Sequence, residues 1–96
     1  MTVNWTARET AYVVEQYLPN AAATDVEAFA IALHAAGVAI STEGHPVRLA
    51  CSVLVPDDDL CLYVLKAASP EAAAQAAARA AITPERVMTA VAWLVP

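Results

Sequence analysis

The hydrophobic pattern of this chain alternates between the period of a strand and the period of a helix. Residues 10–18, TAYVVEQYL, are rich in β-branched and aromatic side chains and run into Pro19-Asn20, which predicts a strand closed by a turn. In TDVEAFAIALHAAG, residues 24–37, Val26, Phe29, Ala30, Leu33 and Gly37 recur at helical spacing. Thr24 with Glu27 three residues on predicts a capping box at the start of this helix, and Gly37 predicts its stop. Residues 41–46, STEGHP, read as a loop. Residues 47–55 and 60–67 are two strand-like runs joined through Pro56-Asp57-Asp58-Asp59, the pattern of a hairpin. Ser69-Pro70-Glu71 then gives an N-cap, a proline at the first helical position and an early acid to the alanine-rich segment that follows. Thr83-Pro84-Glu85 repeats that signal for one turn, and residues 87–95, VMTAVAWLV, read as a last strand.

The resulting order, β-α-β-β-α-β, predicts an α+β, ferredoxin-like fold: a four-stranded antiparallel sheet with two helices on one face. Ninety-six residues hold one domain with one modest core, residues 1–9 reading as an extended N-terminal arm. In such a sheet the uncovered face is normally polar, and each strand alternates strictly. Here it does not. In the last strand Val87, Val91, Trp93 and Val95 point one way while Met88, Ala90, Ala92 and Leu94 point the other. Leu49, Cys51, Val53 and Val55 share one side of the hairpin, with Ala50 and Leu54 opposite. Both faces are apolar, so something must cover the second. Hiding on the order of 600–800 Å² per partner at about 25 cal/mol/Å² gives ample hydrophobic drive for association. The expected partner is a second copy packed sheet to sheet, or a lipophilic ligand in its place.

Composition sharpens this picture. Hydrophobic residues make up 59% of the chain and charged ones 16%, more apolar than an average soluble domain. Charged residues, Glu15, Asp25, Arg48, Asp57, Lys66, Glu71, Arg79 and Glu85, nevertheless interrupt each apolar run before the roughly 18 positions a membrane helix needs, so a membrane partner is not expected. The net charge of −5 and the absence of any Lys/Arg cluster argue against nucleic acid. The start, MTVNWTARET, shows no apolar stretch of the signal-peptide kind, and the cytoplasm is the expected compartment.

The segments VVEQYLP, EGHPVRLACSVLVPDDD and AASPEAAAQAAARAAITPERV together resemble a family of small bacterial ferredoxin-like proteins of unknown function, often described as nickel-binding. Its members read roughly as VERYLPG, EGxPVRYLGSxxVPEDE and EAPSxEAVxxAxxRAGLPxDRI, and the likeness spans about residues 12–91 in order and spacing. Glu15, Pro19, Arg48, Ser52, Pro56 and Arg86 match the pattern. Cys51 and Ala81 stand where the family tends to have glycine, and Lys66 where it tends to have glutamate. The resemblance implies the same fold, a dimer, and in some members nickel held by histidines that include first-strand ones. This first strand offers Glu15, Gln16 and Tyr17 there.

Candidate chemistry is sparse. With a hairpin loop at Asp57–Asp59, strand partners sum to 116, which sets Cys51 opposite Leu65 and Cys61 opposite Val55. The sulfurs are then on one face but about 13 Å apart along the strands, too far for a disulfide; a shift of one residue puts them on opposite faces. Each cysteine reads as a small buried hydrophobe. His34, on the shoulder of the first helix, and His45, in the loop before Pro46, with Glu27 or Glu43, are the residues with which nickel or another divalent transition metal would be held. Three consecutive aspartates lack the alternation and glycine of a calcium loop and read as a solvated turn. Glu15, Tyr17 and Arg48 form a polar minority in an apolar setting, the composition of a small-ligand site, or of a salt bridge at a subunit contact. There is no nucleophile elbow and no glycine-rich phosphate loop, the chain having two glycines. The pattern favours a non-catalytic homodimeric binding protein for a metal ion or small ligand. The alternatives are a small enzyme acting on a lipophilic substrate and a structural or partner-docking module.

Overall fold

A computed structural model describes residues 10–91 of the chain. The expected N-terminal arm, residues 1–9, and the end of the last predicted strand, residues 92–96 with Trp93 and Val95, lie outside the described residues. Strands β1 (Thr10–Tyr17), β2 (Val47–Val55), β3 (Leu60–Ala67) and β4 (Arg86–Val91) and helices α1 (Ala23–Thr42) and α2 (Pro70–Arg79) follow the order β-α-β-β-α-β. The strands lie in the order β2-β3-β1-β4, every pair antiparallel. This is the ferredoxin-like α+β arrangement read from the sequence.

Both helices cover the same face. Tyr12 and Val14 of β1, Val47 of β2, and Cys61, Tyr63 and Leu65 of β3 share one core with Leu33 and Ile40 of α1 and four alanines of α2. Ala72, Ala73, Ala76 and Ala77 repeat at i, i+1, i+4 and i+5 and are all buried. Their short side chains let α2 sit close to the sheet, while Tyr63, Leu33 and Ile40 fill the volume beside it. The start of α2 is as its sequence promises: Ser69 Oγ accepts the Ala72 N–H at 3.1 Å and Pro70 opens the first turn. Thr83–Glu85 forms no helical turn.

Helix α1 departs from the reading in three ways. Its N-cap is Ala22, not Thr24, and the Asp25 carboxylate accepts the Ala22 N–H at 2.8 Å. It also runs five residues past Gly37, to Thr42. Gly37 is there for closeness: a Cβ on it would stand 3.0 Å from the Val47 carbonyl oxygen. The helix ends nearer Gly44, whose φ of 97° only glycine adopts easily. Finally, the charges do not shorten it as expected, and by length and composition α1 is long and apolar enough to cross a membrane. In the fold it lays Leu33, Ala36, Gly37 and Ile40 on the sheet and leaves Ile31 and Val38 exposed.

The hairpin strands have the predicted ends, but their register differs. Pro56–Asp58 forms a short 3-10 turn closed by Asp59 with φ 52°, so Val55 faces Leu60 and partners sum to 115. A β-bulge between Leu49 and Cys51 then absorbs Ala50 and flips the faces. Leu49 therefore lies under the helices with Val47, Ser52 and Leu54, while Cys51, Val53 and Val55 take the open face with Arg48.

Of the three described non-glycine residues with positive φ, Asn20, Asp59 and Ala81, the alanine is the strained one, because Asn and Asp tolerate that region. Ala81 follows the last turn of α2 with φ 59°, and its N–H and that of Ile82 close back on the Ala78 and Ala77 carbonyls, a Schellman motif. A left-handed non-glycine residue costs roughly 1–2 kcal/mol, part of which glycine gives back through its freer unfolded chain. Ala81→Gly is expected to raise stability by about 0.5–1 kcal/mol, seen as a melting temperature roughly 2–8 °C higher; no rise, or a fall, would contradict the strain at this cap.

Candidate functional site

The register fixes what each face presents. On the open face the strands align in rows across β2, β3, β1 and β4. The middle row is Cys51, Val64, Val13 and Met88, all apolar. The next is Val53, Leu62, Glu15 and Arg86; beyond it Val55, Leu60 and Tyr17 reach the hairpin end. On the other side of the middle row come Arg48, Lys66, Ala11 and Ala90. Val53 and Tyr17 are well exposed in the single chain, at 45% and 55%. The open face is thus an apolar field with one ion pair near one corner and two cations at the opposite end.

The sequence-predicted ligand group is divided by this arrangement. Glu15 and Tyr17 are neighbours on the open face of β1, and the Glu15 carboxylate accepts from Arg86 Nε at 3.1 Å. Arg48 shares that face but sits four residues along and two strands across, about 13 Å by about 10 Å away. Glu15 is therefore paired, with Arg86 in the place expected for Arg48. Likewise His34 is exposed in the middle of α1 and His45 is exposed beyond its end, with about 12 Å of helix rise between His34 and Thr42. Glu43, the acid nearest His45 in sequence, takes a two-pronged grip from Arg79, its carboxylate oxygens 2.6 and 2.7 Å from the two guanidinium nitrogens. That bond to Arg79 holds the Glu43 carboxyl below its ordinary value. Among the described residues no three of His, Cys, Asp or Glu gather at one point. Asp57 and Asp58 are exposed at the hairpin tip, and the Asp59 carbonyl instead accepts the Leu18 N–H at 2.7 Å.

What the fold does bring together is a cleft of about 590 Å³ at the end of the sheet where β1 and β2 begin and β3 ends. It is lined by Thr10 and Tyr12, by Ser41 from the last turn of α1, and by Val47, Arg48 and Lys66. Arg48 and Lys66 face each other in register. Ser41 Oγ donates to the Val47 carbonyl and accepts from the Val47 N–H, both at 3.1 Å, which ties the end of α1 to the first residue of β2. Sequence reasoning found Arg48 but missed Lys66 and the cleft. A register sum of 116 sets Arg48 against Ala68 and Lys66 against Ala50, so nothing in the unbulged hairpin brings the two cations side by side.

A second polar group, under the helices, also escaped the sequence reading. Tyr63, with no exposed surface, donates its hydroxyl hydrogen to Gln16 Oε1 at 2.7 Å, beside buried Cys61. Ser52 Oγ, opposite Tyr63 on β2, is buried with no hydrogen-bond partner. Burial drives the Tyr63 hydroxyl far above its ordinary value, with Cys61 adding to the effect, and burial also pushes the Cys61 thiol up. Tyr63 and Gln16 satisfy each other in the sealed interior, while the Ser52 hydroxyl beside them is left without a partner.

The cysteines part company. Both are free; Cys61 is buried as expected, on the helix side, whereas Cys51, also expected buried, is exposed on the open face because the turn register pairs it with Val64. Only the thiolate attacks a disulfide reagent, so Cys61 is doubly protected, by enclosure and by its raised pKa. Dilute, monomeric protein should take up one equivalent of Ellman's reagent per chain, a second copy laid on the open face should slow that reaction, and the second equivalent should follow only in denaturant. Cys51→Ser should abolish the native-state reaction, and two fast equivalents would contradict this placement.

Compared with family models, curated proteins and solved structures, the chain matches none.

Proposed function

We propose that this chain is a non-catalytic, homodimeric binding protein whose ligand is a small molecule held in the cleft at the end of the sheet. One observation carries the reading: the middle row of the open face, Cys51, Val64, Val13 and Met88, is apolar across all four strands. A sheet face that meets only water has no reason to be built this way. A second copy laid on it buries the same patch twice, as a two-fold interface does. The cleft lies at one end of that field, lined by Arg48 and Lys66 from the open face and by Tyr12 and Val47 from the helix side.

The resemblance to a nickel-binding family gives the other class of ligand. His34 and His45 stand apart within the chain and Glu43 is engaged by Arg79, which favours an organic ligand over a metal. Sedimentation equilibrium from 1 to 100 μM tests the assembly: a dimer is expected, and a monomer throughout overturns it. Calorimetry with nickel chloride tests the ligand class: no heat is expected, and stoichiometric nickel binding would replace the cleft by a metal site.

A further inference from the structure

We propose that in the dimer Arg48 of one copy binds the partner's Glu15, so that the second copy supplies part of the cleft's wall; this deepens the homodimeric binding function proposed above and rests on it. The rows of the open face hold Arg48, Lys66 and Arg86 as cations and Glu15 as their acid. Arg86 is bonded to Glu15, and Lys66 also has a partner of its own. Arg48 forms no ion pair or side-chain hydrogen bond with another described residue. It is exposed and stands one row from the apolar middle row, so a second copy laid on this face comes down on it. A guanidinium that loses its water without gaining an acid weakens association, and the acid this face offers to it is the partner's Glu15.

The two residues stand where a two-fold interface can exchange them. Arg48 faces Lys66 of β3, two residues from Val64 in one direction; Glu15 faces Leu62, two residues from Val64 in the other. Strand β3 lies between β2 and β1. Val64 is therefore the midpoint of the line from Arg48 to Glu15. A two-fold axis between the stacked sheets, passing over Val64 at right angles to that line, carries each end of it onto the other. Each copy then sets its Arg48 on the partner's Glu15, and the contact forms twice. With about 13 Å between the two residues along the strands and about 10 Å across, this axis makes the strands of the two sheets cross at roughly 70°, on the orthogonal side of the two ways in which sheets stack. Val64 meets the partner's Val64 at the centre, with Cys51 and Val13 on either side.

The intrachain pair does not block this contact. Arg86 Nε takes one oxygen of the Glu15 carboxylate, at 3.1 Å, and a carboxylate has acceptor positions for a second guanidinium. An arginine suits the place, because its planar fork grips a carboxylate with two parallel hydrogen bonds. The result is a cluster of two arginines and one glutamate at each of two symmetric places on the rim of the apolar field, where charge pairs fix the register of an interface. A face that carries an acid and an unengaged cation at exchangeable positions is complementary to itself, which favours a second copy over a foreign partner. Arg48 also lines the cleft. The partner's Glu15 therefore stands at the cleft's rim, and the binding site is complete only in the dimer.

The experiment is a charge exchange in the full-length chain, read by sedimentation equilibrium. Arg48→Glu sets acid against acid at both contacts, and Glu15→Arg sets cation against cation, so each variant alone should associate about a hundredfold or more weakly than the parent. An equimolar mixture of the two should recover the dimer, because in a mixed pair both contacts join opposite charges, and the recovery should fade as salt is raised. Glu15→Arg also gives up its bond to Arg86, so the melting of each variant is measured. If that variant does not fold, a cycle of Arg48→Gln and Glu15→Gln takes its place: each should weaken association about tenfold or more, and the two together about as much as one alone. Single variants that dimerise as the parent does, a mixture no tighter than its components, or glutamine effects that simply multiply overturn the contact between Arg48 and the partner's Glu15 and leave the dimer standing. A parent that stays monomeric overturns the dimer and this contact together.

Discussion

Gly37→Val should destabilise the fold by about 2–3 kcal/mol, lowering the melting temperature by roughly 10–20 °C. Residue 37 is mid-helix, where glycine is by intrinsic preference about 1 kcal/mol worse than alanine, so on propensity alone any replacement but proline would help. Geometry outweighs it. A Cβ at this position lies 3.0 Å from the Val47 carbonyl oxygen, and the atoms behind that oxygen are the backbone of Val47 and Arg48. Those atoms sit in a ladder with β3 and in the two hydrogen bonds to Ser41, so they do not swing aside as a side-chain tip would. Alanine trades its helical gain against one tight contact and should fall within about 1 kcal/mol of the parent. Valine adds two methyl groups to the same gap. Gly44→Ala is the control, because nothing lies within 4 Å of its Cβ and its cost comes from φ 97° alone. A melting temperature for Gly37→Val equal to that of the parent would show that α1 and β2 do not approach as closely as described.

The same glycine shows where sequence reasoning worked and where it stopped. Strands announce themselves by β-branched runs between turn residues, and β2 and β3 begin and end at the predicted positions. The start of α2 is written in Ser69 and Pro70, whose chemistry is local. Gly37 reads as a helix stop because glycine often is one, yet its reason for being there is the Val47 carbonyl ten residues later, which no local pattern reveals. The bulge at Ala50 is a similar case. It changes no composition and no spacing, but it moves Leu49 under the helices and sets Arg48 beside Lys66 on the face of Cys51. The apolar open face survived this error because its residues are apolar on either register. The candidate site did not, since Glu15 and Arg48 share the open face but lie four residues and two strands apart. Polar groups in the interior, Gln16 with Tyr63, were hidden for another reason: a glutamine in a strand looks like a surface residue until its partner is placed.

Val64→Glu should convert the protein to a monomer at concentrations where the parent is dimeric, weakening association by more than about a hundredfold. Val64 is on β3, one of the two inner strands, in the middle row between Cys51 and Val13. A two-fold interface contains each residue twice, so one substitution buries two carboxylates that have no cation in that row. Each must lose its water or take up a proton, and both cost association free energy. The fold itself should be nearly unaffected, because Val64 points away from the helices and in a separated chain its carboxylate meets solvent. Acid supplies an internal check. Below about pH 4.3 the glutamates are largely neutral, and part of the association should return. The competing surface is the outer side of α1, where Ile31 and Val38 are 63% and 55% exposed. Ile31→Glu disturbs that surface and leaves the sheet alone, so it should sediment as the parent does. Dissociation by Ile31→Glu, with Val64→Glu still dimeric, would move the contact to the helices and leave the apolar middle row without the partner proposed for it.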